Sequence, residues 1–275
     1  MLLEALISEL PPGPTRARAL KELALARTDD AEIAQSLLQQ ALAEAEDDDH
    51  LRARIEPELA AVLRGGCKFS LSAAHARLGL ESAHRARDPG LLARALAADA
   101  MNAFFAEGGI KFEQLARGIT LEDESDAITY KLPTTVNGNV LWWSDDLDGA
   151  RQALGRAMQR AVEHGEDSDV ALFWFHLAVL EWKAGDHQTA ERCQSRIRSP
   201  VTHATRHSDV SRTERSDSEL RSQPAGTRDE IRSWTKPSST RCSLSRPFPD
   251  VHPVHDPAGQ TCGFPDLRPD RSNLP

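Results

Sequence analysis

The chain reads as an all-α protein, a tetratricopeptide-like stack of antiparallel helix pairs (an α-solenoid) spanning residues 15–194. A short lead-in occupies 1–14, and a disordered Ser/Arg/Pro-rich tail is expected over 195–275. Three observations predict this division. Apolar residues recur at helical spacing, separated by short polar breaks. The breaks carry Asp where helices start and Gly where they stop. Beyond Ser195 both the periodicity and the apolar content are lost.

The elements follow in order. Ala34, Leu37, Leu38, Ala41, Leu42 and Ala45 form one face of a helix whose start is capped by Asp29 or Asp30. Asp47-Asp48-Asp49 ends it and opens the next, which buries Leu51, Ile55, Leu59, Val62 and Leu63. That helix is expected to stop at Gly65-Gly66 on a left-handed glycine and to kink at Pro57, where a backbone donor is missing. A helix from about Ser70 to Arg87 follows, then one from Pro89 to Gly108-Gly109. Between Ile110 and Thr135 the pattern supports one short helix, Phe112 to Leu121, and an acidic break at Glu122-Asp123-Glu124. Asp145-Asp146 then caps a long amphipathic helix carrying Leu147, Ala150, Leu154, Ala157, Met158 and Ala161. Asp167-Ser168 opens another, apolar nearly all round from Val170 to Leu180, which must be covered on more than one side.

Charge and composition narrow the function. Residues 1–195 hold 20 basic and 32 acidic side chains, a net of −12, so this part lacks the clustered Lys and Arg that grip nucleic-acid phosphates. Residues 196–275 hold 13 basic and 10 acidic, and only 12 of the 80 are Leu, Ile, Val or Phe, too few to offset the entropy of ordering. Cys67, Cys193, Cys242 and Cys262 show no disulfide-framework spacing, and no secretory leader pattern opens the chain, so a reducing cytoplasm is expected. The longest nearly apolar run, Val170 to Leu180, is far short of the roughly 20 residues that span a bilayer, so no membrane partner is expected.

An internal repeat links the elements. Asp30 and Ala34, Asp146 and Ala150, and Asp186 and Ala190 each place a capping aspartate four residues before a small residue that lets a neighbouring helix approach. Stacked helix pairs of this kind bury each other's apolar faces. The segments Leu141-Trp142-Trp143-Ser144-Asp145-Asp146-Leu147-Asp148-Gly149-Ala150-Arg151, then Arg160 to Glu166, then Leu177 to Asp186, resemble the helical-repeat region of large ATP-binding transcriptional regulators of the LuxR type, the MalT-like group. The resemblance covers about Leu2 to Cys193 and implies a sensing and coupling role through protein contacts. In that family a phosphate-loop domain precedes the repeats and a helix-turn-helix follows them. This sequence contains no GxxxxGK[ST] and no pair of amphipathic helices after Cys193, so neither ATP hydrolysis nor DNA reading is expected of it. Met1 is accordingly read as an internal start. A shifted reading frame in GC-rich DNA and a genuine disordered tail both produce the composition of 196–275.

Candidate sites are few, and no catalytic residue, cofactor or metal is assigned. Gly108-Gly109-Ile110-Lys111 is a helix end beside a lysine rather than a phosphate cradle. Cys242, His252, His255 and Cys262 have the wrong spacing for a zinc module and belong to the tail. Cys67 and Cys193 read as inert, partly buried thiols. Glu122, Asp123, Glu124 and Asp126 read as a solvated acidic loop. Trp142, Trp143, Phe173, Trp174 and Trp182, with Phe175 in the same run, are the candidate interaction surface. If the last helix is cut short near Gln194, about 300 Å² of aromatic surface stays open, and self-association through Val170–Trp182 is expected.

Overall fold

The computed structural model describes residues 2–27 and 30–198, and the backbone of 254–255 and 261–262. Among these residues the helices are α1 Leu2–Glu9, α2 Pro14–Ala26, α3 Ala31–Glu44, α4 Asp49–Gly65, α5 Phe69–Ala86, α6 Pro89–Glu107, α7 Phe112–Ile119, α8 Pro133–Trp143, α9 Leu147–His164, α10 Asp167–Ala184 and α11 His187–Arg198. Single 3₁₀ turns occupy Glu122–Glu124 and Thr129–Lys131. The tail expected to be disordered lies outside the described residues, apart from an antiparallel pairing of Val254–His255 with Thr261–Cys262. Asp29 also lies outside them.

The chain forms two compact units. Among the described residues the first takes 2–127 and 131–140, and the second takes 128–130 and 141–198. In the first unit α2 packs on α3, α3 on α4, α4 on α5, α5 on α6 and α6 on α7. Turns of only a few residues make each of these neighbours antiparallel. Ala17, Leu20 and Ala24 of α2, Leu38 and Ala41 of α3 with Ala45 just after it, and Leu51, Ile55, Leu59 and Leu63 of α4 form the main core. Each fully buried leucine there contributes about 1.5–3 kcal/mol. A smaller cluster joins Ala53, Ala83, Leu91 and Ala95.

The aspartates set the helix starts. Asp30 accepts from the amides of Glu32 and Ile33, Asp48 from Leu51, Asp88 from Leu91, Asp146 from Gly149 and Asp186 from Thr189. In all three repeats the alanine four residues on is buried: Ala34, Ala150 and Ala190. The stops depart from expectation in one place. Gly66 keeps a negative φ of −86°, and the left-handed residue after α4 is Cys67, at φ 57°. The amides of Gly66, Cys67 and Lys68 close the helix end on Val62, Arg64 and Leu63 carbonyls. α4 also runs on through Pro57, whose ring sits within 3.1 Å of where a side chain on Gly79 of α5 would begin. That glycine makes room for the ring between the two helices.

Two further elements differ from the sequence reading. The lead-in is helical, α1 packing on α2. α8 was not anticipated, because Pro133-Thr134-Thr135-Val136-Asn137-Gly138-Asn139 has poor helix propensity and no single apolar face. Its first turns are buried nearly all round, so packing outweighs propensity. The acidic break is exposed at Asp123, Glu124 and Asp126, as a solvated loop would be, but it is also anchored as a joint. Glu122 accepts from the amide and hydroxyl of Thr134 (3.0 and 2.6 Å), and Asp126 accepts from Arg54 at 2.9 Å. Its backbone also lies on the start of α6: a methyl group on Gly90 would fall 2.2 Å from the Glu124 carbonyl oxygen.

Charge is buried in the first unit only where it is paired. Glu58, 6 % exposed, receives Arg94 and, at 2.5 Å, Lys131. Burial by itself raises its carboxyl pKa, but Arg94 and Lys131, with Lys21 behind them, outweigh it and hold the group below the ordinary carboxylate range. Lys111 is likewise taken up by Asp99 at 2.8 Å, which leaves the glycine-flanked end of α6 as a plain helix terminus.

In the second unit α9 packs on α10 and α10 on α11. Ala150, Leu154, Ala157, Met158 and Ala161 of α9 meet Phe173, Leu177 and Leu180 of α10 and Cys193 of α11. Gly165 and Gly185 supply the left-handed residues that end α9 and α10, at φ 71° and 84°. Cys193 is fully buried, and burial pushes its thiol up to about 12, so it stays protonated and unreactive. Among the described residues no helix is long and apolar enough to cross a membrane.

Candidate functional site

The aromatic residues singled out in the sequence all fall in the second unit, on the end of α8 and along α10, where they divide into three classes. Phe173 has no exposed surface and belongs to the core, which corrects its place in the candidate surface. Trp142, Trp143 and Trp174 are half-buried. Trp182 is 43 % exposed and Phe175 51 % exposed.

Behind these residues lies a framework of polar contacts. The loop before α8 is clamped to the start of α10: the Thr129 amide donates to Glu166 at 3.0 Å and the Tyr130 amide to Asp169 at 2.8 Å. This holds the Tyr130 ring 6.5 Å from Phe173 and 5.8 Å from His176. Trp142 and Phe175 also flank His176, at 5.8 and 5.9 Å, and Trp143 lies 6.1 Å from Trp142. Lys183 donates to the Trp142 carbonyl at 3.3 Å and pairs with Asp145 at 2.5 Å, fixing the tryptophan turn against the end of α10. Arg151 grips Glu181 in two bonds of 2.5 and 2.9 Å, tying α9 to α10. Burial pushes the His176 imidazole down to about 4, so it is neutral at pH 7. It packs as an aromatic ring does.

Helix geometry explains which side stays open. Phe173, Leu177 and Leu180 turn toward α9 and α11. Leu172, Phe175, Val179 and Trp182, at spacings of three, four and three, form a stripe about 15 Å long on another face, partly or largely exposed. Leu172 and Val179 were missed in the sequence, although the 3.5-residue spacing that marks such a seam is present there. α11 runs to Arg198 rather than stopping near Gln194, and it seats Ala190 and Cys193 on the core. The open aromatic surface, half of Phe175 and half of Trp182, is therefore on the order of 200 Å², less than expected and well short of the roughly 800 Å² per partner of a stable dimer. The basis for self-association is correspondingly weakened.

Chemically the exposed part of the arrangement offers apolar contact. Among the described residues no three His, Cys, Asp or Glu side chains are grouped to hold a metal ion. The cysteines and histidines of the tail weighed as zinc ligands have no described side chains. No known family model matches the chain, and no curated protein matches it.

Proposed function

We propose that this chain is a helical-repeat interaction module, the sensing and coupling portion of a LuxR-type ATP-binding regulator. It carries no ATPase, no DNA-reading element and no catalytic role of its own, and works in the cytoplasm. The observation behind this reading is repetition: three aspartate-capped helices, each with a buried alanine one turn in, and a tryptophan-rich turn that resembles that family. The stripe Leu172–Phe175–Val179–Trp182 is the docking face. Its size and spacing suit a single amphipathic helix from a partner protein, with apolar anchors along one side. The net charge of −12 over residues 1–195 favours basic flanks on that helix.

The alternative is a free-standing adaptor that uses the same stripe. Reading the coding DNA on both sides separates the two. A phosphate-loop coding sequence upstream, in frame with Met1, and a helix-turn-helix in another frame downstream support the regulator reading. Stop codons closing the frame immediately upstream, with neither domain nearby, overturn it in favour of the adaptor.

A further inference from the structure

A cavity of about 380 Å³ opens in the first unit where the end of α5, the start of α6 and the end of α7 converge. Its apolar lining comes from the buried Ala83, the half-buried Leu92 and Leu121, and the exposed Pro89. Its rim carries His84, Arg87 and Arg117. Of the other arginines in this unit, Arg16, Arg27, Arg52, Arg54, Arg85 and Arg94 pair with carboxylates, Arg64 and Arg77 bond a side-chain amide and a backbone carbonyl, and Arg18 stands exposed. Arg87 and Arg117 make no ion pair and no side-chain hydrogen bond among the described residues. The acid on the rim, Asp88, is turned to its own helix, accepting the Leu91 amide at 3.0 Å, with His50 at 3.8 Å on its other oxygen.

We propose that this cavity binds a small organic phosphomonoester, its phosphate held between the Arg87 and Arg117 guanidiniums and its body laid on Leu92 and Leu121. Two guanidiniums from different elements match a dianion, since each forms paired charge-assisted bonds to phosphate oxygens, whereas a carboxylate needs only one. The volume falls in the range of small-molecule sites and leaves room for a single ring beyond the phosphate. The apolar lining gives that ring a place that free phosphate cannot use. The site does not depend on the docking stripe, which belongs to the other unit.

The test uses phenyl phosphate as the probe, with phenol and inorganic phosphate as partial ligands, titrated into the full chain and followed by the amide signals of Leu92, Thr120 and Leu121. Phenyl phosphate is expected to bind about ten-fold or more tightly than either fragment, and Arg117→Gln to weaken it about ten-fold, the loss of one charge-assisted contact. Arg87→Gly is the companion variant. Arg87 sits at φ 55°, where glycine is at ease, so this change removes the guanidinium while relieving the backbone. It should fold at least as well as the parent and still lose phenyl phosphate about ten-fold. Phenyl phosphate binding no tighter than phenol overturns the phosphate site, and equal binding of inorganic phosphate overturns the role of the apolar lining. Unchanged affinity in either variant removes the two-guanidinium clamp.

Discussion

The two units bury different chemistry. The first is built largely from alanine and leucine, and the charge it takes inside, Glu58 with Arg94 and Lys131, is neutralised by partners from other elements. The second packs Tyr130, Trp142, Phe173 and the uncharged imidazole of His176 into one cluster and leaves Phe175 and Trp182 open beside it. Small side chains allow close helix approach, and the large apolar residues that unit leaves open, Leu6, Ile33, Leu71, Leu78 and Phe112, are spread over α1, α3, α5 and α7. Large rings fill space in fewer contacts, and part of their surface is left outside. The candidate docking face therefore belongs to the unit whose core is aromatic.

The same contrast supplies its own probe. Among the described residues all the tryptophans, Trp142, Trp143, Trp174 and Trp182, lie in the second unit, so a Trp234→Phe background makes fluorescence report that unit. The largest effect is expected from Phe173→Ala, which should lower the stability of the fluorescence-detected transition in urea by about 3–5 kcal/mol. Phe175→Ser, one turn of face away, should change it by less than about 0.5 kcal/mol. Equal losses from the two would erase the division between core and open stripe.

Acid should separate the units next. His176 is neutral in the fold down to about pH 4, whereas in the unfolded chain it takes up its proton near 6.5. Its contribution is complete above pH 6.5 and is lost as pH falls toward 4, amounting to about 3 kcal/mol at most. Glu58 is held low instead, so its contribution persists to the ordinary carboxylate range and is lost only below it. Fluorescence-detected stability should therefore drop between pH 6.5 and pH 5, and His176→Leu should flatten that drop. If the variant keeps the parent's pH dependence, another group is responsible.

The smallest effect compares the repeats. Asp30→Ala and Asp186→Ala each remove a side-chain cap and should each cost about 1 kcal/mol, measured by helix signal for the first unit and fluorescence for the second. A cost at one position only would mean that the shared spacing is not a shared joint.

These aspartates also show what was legible in the sequence. α3, α4, α6, α9 and α11 begin where an aspartate caps them, and α6, α9 and α10 end on left-handed glycines, because cap chemistry is local. α8 was hidden, since a helix buried on nearly all sides has no period to read. Cys67 took the left-handed place that Gly66 was expected to fill, as the helix end is set by carbonyls several residues back. The aromatic residues were visible, but their exposure was not. An all-round apolar helix does not say which of its sides a neighbour will take, and Phe173 and Phe175 differ by two positions. The cavity at Arg87 and Arg117 joins residues thirty positions apart and had no sequence signature.

Gly90 carries a consequence for genetics. The backbone of Glu124 rests where any side chain at position 90 would stand, so the start of α6 and the joint at 122–125 occupy one space. Even alanine there must push the joint away, and Leu121, which walls the cavity, and Glu122, which holds Thr134, move with it. A missense change at Gly90 should thus phenocopy a deletion of 122–125, and a second-site suppressor should map to that joint rather than to the neighbours of Gly90 along α6.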